Sequence, residues 1–250
     1  MTSSKFRGML KEAREGKILT PLVRAALTNP DFEGFTIDVE GWEPRPYDGW
    51  FHPSTHATWT ARQLAYYLLY PEAIIQEKPS LLFVLAVTQG KFWHKFFQQL
   101  FLAKGVLTQA EVPLSDASIN CTGHADGQIN DGDLWEFKTM SHHVIRKVKT
   151  VEDLVEHDKF GYYAQTQDYL MMSGNPRMRY LIMALASPFD MSEMVVEADP
   201  LFQAAQREKY HQAITAALTG EMPPECCTPR SPESRTCPAR RVCPLGAKDI

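Results

Sequence analysis

The segment 123–140, GHADGQINDGDLWEFKTM, places charged side chains inside a pattern that is otherwise typical of two β-strands joined by a tight turn. Strand interiors disfavour charge, because a buried carboxylate loses its hydration. Glu136 and Lys138 are two residues apart and therefore share one face of the second strand. Asp126 joins that face only if the turn has the right length. The hairpin therefore limits both the register of the sheet and the chemistry it can support.

The length of the turn decides which side chains of the hairpin meet. A two-residue turn sends Asp126 to the face opposite Glu136. A three-residue loop over 131–133 instead pairs Asp126 with Lys138, and Gln128 with Glu136. We predict the three-residue loop. Asp126, Gln128, Glu136 and Lys138 then lie on one face of the hairpin. The residues that then face the core are Trp135 and Phe137.

Two carboxylates on one face repel each other unless they share a proton or a cation. Oxygen ligands of this kind suit Mg²⁺ or Mn²⁺. Such a cation lowers the pKa of a bound water and neutralises charge that develops on a phosphate. An ammonium group beside it, here Lys138, can orient the water. The alternative is a surface hairpin with an ordinary Glu–Lys pair, and the hairpin alone leaves both interpretations open.

The rest of the chain predicts an α/β domain. Its order, helix, three strands, helix and strand, is typical of a mixed central sheet flanked by helices. Apolar spacing and capping residues predict helices from 54 to an end at Pro71, and over 79–104, 160–174 and 199–219. The predicted strands lie within 106–139 and at 179–187. Aromatic residues at 92–97 predict that much of the helix over 79–104 is buried, and a short amphipathic helix is expected over 5–16.

Three regions follow from this pattern: an N-terminal helical extension over 1–52, a core domain over 53–220 and a Cys-rich C-terminal tail over 221–250. A chain of 250 residues suffices for one domain with a sizeable core. The formal net charge of −4 gives no sign of a polyanionic partner, although a local groove matters more than the sum. No apolar run reaches membrane length and the N-terminus lacks a secretory signal, so we expect a cytoplasmic protein without a membrane partner.

Four sequence elements together resemble one family of enzymes. GHADG followed by LWEFKT resembles motifs II and III of the PD-(D/E)xK nuclease superfamily, with the spacing D-x9-E-x-K. GKFWH at 90–94 is similar to the G-x3-H element of the RecB/Cas4-like branch, and QTQDY at 165–169 is similar to its Q-x3-Y element. The four elements follow the order of that branch. In length and general character the chain resembles phage-encoded Cas4-family exonucleases.

The resemblance implies a restriction-endonuclease-like core and a divalent-metal-dependent DNA exonuclease, in which a metal-activated water attacks the phosphodiester bond in line. It implies one or two Mg²⁺ or Mn²⁺ ions. The implied metal ligands are His94, Asp126, Glu136 and the carbonyl of Phe137. Lys138 would position the water. Gln165 and Tyr169, which share a helix face, would hold the active site or the DNA backbone in place.

DNA is the implied partner, as a single strand or a duplex end, bound through phosphate contacts that make affinity salt-dependent. Candidate phosphate contacts, each also typical of a solvated surface charge, are Lys91, Lys95, Lys147, Lys149, Arg177 and Arg179. Trp93 and Tyr162 could stack on bases, with burial in the core as the alternative. The alternative function is a catalytically weak DNA-binding or recombination-partner protein that keeps the nuclease fold. Polarity of digestion and oligomeric state stay open, and the cytoplasm is that of an infected host if the chain is phage-encoded.

Four of the five cysteines lie in the tail, at Cys226, Cys227, Cys237 and Cys243. Cas4-type nucleases carry an iron–sulfur cluster on one upstream and three C-terminal cysteines, which implies a [4Fe–4S] cluster here. The chain departs from that pattern, because no cysteine precedes Cys121 and because Ser234 replaces the first cysteine of a C-x2-C pair. The alternatives are a zinc ion on the same thiols, or free thiols. Cys121 is expected to be a buried strand residue.

Overall fold

A computed structural model describes residues 16–28, 32, 34–39, 43, 45–75, 79–157, 160–184 and 190–246. Its centre is a sheet of five strands in sequential order: β1 Leu107–Asp116, β2 Cys121–Ile129, β3 Leu134–Met140, β4 Arg177–Ala184 and β5 Met191–Glu197. β3 and β4 pair in parallel, and the other neighbours in this sheet are antiparallel. The prediction of an α/β fold with a mixed sheet flanked by helices is confirmed. The predicted helix over 5–16 lies outside the described residues.

Helices flank the sheet and run in the chain order α1 Leu19–Thr28, α2 Pro53–His56, α3 Ala61–Leu69, α4 Leu81–Ala103, α5 His142–Ile145, α6 Val151–His157, α7 Tyr162–Ser173, α8 Pro200–Thr219 and α9 Pro232–Thr236. The helix predicted to end at Pro71 is confirmed as α3, but it begins later than expected, and a separate short helix, α2, precedes it. The reason is local: Thr60 and Gln63 form a reciprocal capping box that begins α3 anew. Within the described residues, no helix is long and apolar enough to cross a membrane.

The two faces of the sheet bury different side chains, because successive residues of a strand point to opposite sides. Trp135 and Phe137 of β3 face α4, as predicted, and pack with Phe97 and Phe101. The opposite face of the sheet packs on Tyr169 and Leu170 of α7. Its side chains in this contact region include Leu134, Met178, Tyr180 and Ile182. Burial of α4 begins at Phe96, whereas Phe92 is 40% exposed. The prediction that aromatic residues bury the helix therefore holds for its C-terminal half.

The sequence pattern did not predict β5, because a carboxylate, that of Glu193, lies in the interior of this strand. That side chain is buried and accepts hydrogen bonds from the backbone N–H groups of Ile18, Leu19 and Thr20 and from the Thr20 hydroxyl. These donors form the first turn of α1, where a helix has no internal acceptors and where its dipole favours negative charge. Glu193 therefore fastens the N-terminal helix to the last strand of the sheet.

Replacing Glu193 by alanine is expected to lower the free energy of unfolding by about 2–3 kcal/mol, because buried helix donors lose their acceptor. Glu193→Gln keeps one acceptor oxygen and should cost about half as much. Urea unfolding at neutral pH measures both. The control is Glu208→Ala, which removes an exposed glutamate from α8. A cost for Glu193→Ala no larger than that of the control would show that this cap contributes nothing.

Candidate active site

The β2–β3 hairpin differs in register from the prediction. Gly127 lies opposite Trp135 and Gln128 opposite Leu134, so the predicted pairs of Asp126 with Lys138 and of Gln128 with Glu136 are wrong by two residues. The turn instead closes where the Ile129 N–H donates to the carbonyl of Asp133. Gln128 donates to the Gly132 carbonyl within this turn and does not join the carboxylates.

A buried ion-pair cluster explains the shifted turn. The carboxylate of Asp133 is held by Arg177 at 3.0 Å and by Arg179 at 3.3 Å, so Asp133 belongs to the end of the strand and not to the loop. Arg179 is itself buried and also pairs with Asp131. Both arginines were candidate DNA contacts. Both now lie in ion pairs at the end of the sheet next to the hairpin turn, and their contact with DNA stays a prediction.

The two strands of the hairpin separate just beyond Gly127, and the gap holds Asp126. The pairing of β2 with β3 stops at the pair of Gly127 with Trp135, and the N–H of Phe137, two residues further along β3, donates to Oδ2 of Asp126 at 2.7 Å. From the α4 side, Gln98 donates to the backbone carbonyl of Asp126. We call this gap, between Asp126 of β2 and 136–138 of β3, the notch. It opens the sheet to side chains from both faces.

Glu136 and Lys138 lie in the notch as a close pair. The Nζ of Lys138 is 2.6 Å from Oε1 of Glu136, and Glu136 is only 2% exposed. Burial raises the pKa of Glu136 to about 7 and that of Asp126 to about 6, and the charge of Asp126 adds to the shift of Glu136. Burial alone would lower the pKa of Lys138, but Glu136 and its neighbours raise it well above the usual value. The lysine therefore stays charged between two carboxylates.

His94 reaches the notch from α4. Its Nε2 lies 3.2 Å from Oδ1 of Asp126 and 3.6 Å from Oε1 of Glu111. The same nitrogen is buried and has no hydrogen-bond partner of adequate geometry among the described residues. Burial lowers the pKa of His94, which favours the neutral imidazole. A neutral imidazole with a buried, unsatisfied nitrogen is the form that binds a metal ion.

Gln165 and Tyr169 reach the notch from α7, on the opposite face of the sheet. The Nε2 of Gln165 donates to Oε1 of Glu136 at 3.2 Å and to the Tyr169 hydroxyl at 3.1 Å. Both side chains are buried. The second oxygen of Glu136, Oε2, is also buried and has no partner within the described part of the chain. Gln165 thus fixes one carboxylate oxygen and leaves the other unsatisfied.

Glu111 lies beside this group, although it belongs to no sequence motif. It stands in β1 between the pairs Ala110–Gly127 and Val112–Ala125, which places it opposite Asp126. Its φ of 53° is unusual for a residue with a side chain. Its Oε1 accepts from Gln98 at 2.8 Å and lies 3.3 Å from the Nζ of Lys95. A lone glutamate in a predicted strand was the only available signal, and its meaning depends on the register of β1 with β2.

The other candidate DNA contacts have mixed surroundings. Lys95 pairs with Glu111 at the notch, and Lys149 lies 3.3 Å from Asp190 on the surface. Lys147 is exposed just after α5. Lys91 is partly buried on α4. Of the two aromatic candidates, Trp93 packs in the ring cluster of α4, and the ring of Tyr162 lies 5.0 Å from the Nζ of Lys138.

Two glycines of the motifs allow close approach. A Cβ at Gly90 would lie 3.2 Å from the Thr139 hydroxyl oxygen, so this glycine lets α4 approach the end of β3. A Cβ at Gly123 would lie 2.9 Å from the ring of Tyr169. Real Cβ atoms do not tolerate the second distance, and the buried ring has little room to move. Gly123 therefore leaves room for the Tyr169 ring, and the Tyr169 hydroxyl in turn accepts a hydrogen bond from Gln165.

Gly123→Ala is expected to destabilise the protein by about 1–3 kcal/mol, because the added methyl overpacks against the Tyr169 ring. Thermal or urea unfolding measures the loss. Adding Tyr169→Leu should recover part of the stability, since the smaller side chain makes room for the methyl. If the double variant is no more stable than Gly123→Ala alone, the clash with the ring is not the cause.

The donor set of the notch suits a hard divalent cation. No group of three His, Cys, Asp or Glu side chains is already arranged to hold a metal ion in the part of the chain that the structure describes, so binding requires side-chain rotation. The unsatisfied Oε2 of Glu136 and Nε2 of His94 are the atoms that such a rotation would satisfy. Carboxylate oxygens with one imidazole favour Mn²⁺ or Mg²⁺ over softer metals.

The four tail cysteines come together around one small cavity against α3. Its lining comprises Arg62, Gln63, Tyr66, Cys226, Cys227, Ser234, Cys237, Cys243 and Gly246. All four are free thiols, and Gln63 Nε2 lies 3.5 Å from the Cys237 sulfur. Burial raises the pKa of Cys227, and the other three tail cysteines add to the shift. Cys121 is buried in β2, as expected.

Comparisons with known proteins give no family. No protein-family model matches the chain, and no curated protein matches it. Among solved structures, that of SSO0001 is similar with a TM-score of 0.49 and 17% identity, over 83% of this chain and 91% of that one. The structure of LHK-Exo in complex with dAMP is similar with a TM-score of 0.45 and 13% identity, over 67% of this chain and 89% of that one. At this level of similarity, function has to be argued from the site itself.

Proposed function

We propose that this protein is a divalent-metal-dependent DNA exonuclease of the RecB/Cas4-like branch of the PD-(D/E)xK superfamily, acting in phage DNA replication or recombination. One observation carries the proposal. Side chains from four separate elements, α4, β2, β3 and α7, converge on the notch, and all of them belong to the sequence motifs. They are His94, Asp126, Glu136, Lys138, Gln165 and Tyr169.

The electrostatics of the notch support a functional role over a structural one. Burial raises the pKa of both carboxylates, so keeping them ionised at neutral pH opposes folding. Two hydrophobic residues, or one ion pair, would serve a purely structural purpose at lower cost. Unfavourable burial of adjacent carboxylates in a notch is characteristic of catalytic and metal sites. A bound dication would stabilise the ionised carboxylates and so remove the cost of burying their charge.

The residues of the notch divide the work of phosphodiester hydrolysis. Asp126, Glu136, the Phe137 carbonyl and His94 would hold Mg²⁺ or Mn²⁺, which when bound acts as a Lewis acid toward the phosphate and acidifies a water. The charged Nζ of Lys138 donates a hydrogen bond to the attacking water and stabilises negative charge on the phosphate. Gln165 keeps Glu136 oriented through its amide, and Tyr169 keeps Gln165 oriented through its hydroxyl.

Glu111 extends the donor set beyond the implied ligands. Its carboxylate approaches His94 from β1, on the side of Asp126 away from β3. Burial alone would raise its pKa, but the hydrogen bond from Gln98 and the neighbouring His94 and Lys95 lower it. Glu111 is therefore ionised at neutral pH. Glu111 would therefore add a third carboxylate that could help to hold a second ion.

We also propose that the tail cysteines bind a metal group, a [4Fe–4S] cluster or alternatively Zn²⁺. The support is chemical: four thiols line one cavity and could bind either group as thiolates. All four ligands would come from the tail, and α3 would contribute polar neighbours such as Gln63 in place of an upstream cysteine. The group would staple a region of little regular structure to the core domain.

Protein purified without air is expected to contain iron and to show a broad absorbance at ~400 nm. The alternative is one zinc ion without this absorbance. Elemental analysis and the absorbance spectrum distinguish the two. Cys237→Ser should lower the metal content and make the tail more sensitive to proteolysis, whereas Cys121→Ser should leave the metal content unchanged. Wild-type protein that contains neither metal would remove the cofactor proposal.

The nuclease proposal is tested with DNA labelled at the 5′ or 3′ end, single-stranded or duplex, in Mg²⁺, Mn²⁺ or EDTA. We expect metal-dependent shortening from an end, and the labels then give the polarity. The alternative, a DNA-binding or recombination-partner protein with the same fold, predicts bound but intact DNA under every condition. Intact DNA with all metals would favour that alternative.

A further inference from the structure

A stacked aromatic pair links Lys138 to the protein surface and takes no part in the chemistry described above. Phe160 is 72% exposed. Its ring lies nearly parallel to that of Tyr162, with the planes at 26° and the centroids 5.6 Å apart. The Tyr162 ring in turn lies 5.0 Å from the Nζ of Lys138. The two rings therefore extend from the solvent-exposed surface to Lys138, which pairs with Glu136.

The backbone around the pair is tightly placed. Gly161, between the two aromatic residues, has a φ of 76°, and a Cβ there would collide with the methyl group of Thr58. The Tyr162 carbonyl accepts hydrogen bonds from the hydroxyls of Thr166 at 2.7 Å and Tyr180 at 3.1 Å. Tyr180 is fully buried in the sheet. The start of α7 is thus anchored directly after Phe160, whose ring stacks on that of Tyr162.

We propose that Phe160 and Tyr162 form a stacking platform for an unpaired nucleobase at the end of a single DNA strand. This inference rests on the proposed nuclease function and specifies its substrate. A nucleotide carries a flat aromatic base and an anionic phosphate. The platform offers a flat aromatic surface next to an ammonium group, which matches both parts. Bases stack on aromatic side chains without sequence preference.

The geometry favours a single strand over an intact duplex. In a duplex, each internal base is stacked on both neighbours and has no free face for Phe160, and a terminal base is held in its pair and cannot rotate onto the ring. An unpaired terminal base can rotate onto the ring while its phosphate lies toward Lys138. An adjacent protein segment could also cover Phe160, and the experiment below separates that case.

The test measures binding of a 5′-phosphorylated oligothymidine and of a blunt duplex by fluorescence anisotropy in EDTA, where no cleavage occurs. Phe160→Ala is expected to weaken binding of the single strand by about 5- to 150-fold and to leave duplex binding unchanged. Phe160→Leu keeps apolar bulk without a flat ring and should behave like alanine, whereas Phe160→Trp should bind at least as well as the wild type. The control is Leu201→Ala, which removes another highly exposed apolar side chain.

The outcomes distinguish the platform from the nuclease proposal. Wild-type affinity in Phe160→Ala, or full affinity in Phe160→Leu, would overturn the platform even if the wild type cleaves DNA. Equal losses for single strand and duplex would also overturn it. If the wild type cleaves nothing but Phe160→Ala still weakens single-strand binding selectively, the platform stands and the nuclease proposal fails. Unchanged DNA binding, together with a change in oligomeric state on Phe160→Ala, would assign the ring to a protein contact instead.

Discussion

Glu136→Gln is expected to slow DNA cleavage on the order of 10³-fold or more, without lowering the thermal midpoint of unfolding. The amide keeps the shape of the side chain and can still accept hydrogen bonds from Lys138 and Gln165. It removes the negative charge that would hold a cation. Because burial raises the pKa of Glu136 to about 7, the folded environment on balance opposes that charge, so its removal is not expected to destabilise the protein.

The matched control for this prediction is Glu193→Gln in the same sheet. Both glutamates are buried, but Glu193 caps α1 and lies outside the notch. Glu193→Gln should lose stability and retain the cleavage rate per folded molecule, which is the reverse of the pattern for Glu136→Gln. Cleavage rates with Mn²⁺ and thermal unfolding curves are measured for both. A Glu136→Gln protein that cleaves like the wild type, or that unfolds like Glu193→Gln, would contradict the role assigned to Glu136.

Lys138→Met is expected to slow cleavage by about 10²- to 10³-fold while DNA binding changes by only a few-fold. Methionine replaces the long side chain without its ammonium group, so the attacking water loses a donor and the phosphate loses a positive neighbour. Binding depends on many phosphate contacts and should survive the loss of one. The rate is measured with enzyme in excess, and binding is measured separately by anisotropy in EDTA.

The control for Lys138→Met is Lys104→Met, which removes an exposed lysine at the end of α4. Lys104 lies outside the notch and is not a candidate phosphate contact, so this variant should cleave at close to the wild-type rate. Equal losses of cleavage and binding in Lys138→Met would mean that Lys138 acts as a DNA contact. An unchanged rate would remove it from the mechanism.

Much of the fold followed from local signals. The helix α8 was predicted within a residue of its observed bounds, and α7 ends at Gly174, whose φ of 69° is the left-handed conformation expected of a glycine cap. β4 was expected as a continuous apolar run and is buried over nearly its whole length. Each of these elements is recognised from one hydrophobic pattern or one capping residue. Such a signal lies within a short stretch of sequence and does not depend on distant residues.

The register of the hairpin did not follow from the sequence, because distant residues decide it. Asp131, Gly132 and Asp133 are all good turn residues, and local chemistry does not choose among the loops they allow. Arg177 and Arg179, more than forty positions later, bind Asp133 and so fix the end of the strand. A shift of two residues preserves side-chain parity, which is why Trp135 and Phe137 still face the core.

The candidate site was predictable as a set of residues but not as a geometry. His94, Asp126 and Glu136 follow from motif order, whereas the separation of β2 from β3 at Gly127 is a tertiary feature. That separation lets an imidazole enter from one face of the sheet and Gln165 from the other. Glu111 could not be found in advance, since its position opposite Asp126 depends on strand pairing and on a backbone conformation with positive φ.

The most direct measurement of the central claim is the rate of nucleotide release from one end-labelled single strand as Mn²⁺ is added to metal-free protein. Wild type, Glu136→Gln and Lys138→Met are purified in the same way and assayed together. The notch predicts a wild-type rate that rises from zero and saturates with Mn²⁺, and a saturating rate at least about 10²-fold lower in both variants. A wild-type rate that stays at zero at every Mn²⁺ concentration, or one that Glu136→Gln shares, would contradict it.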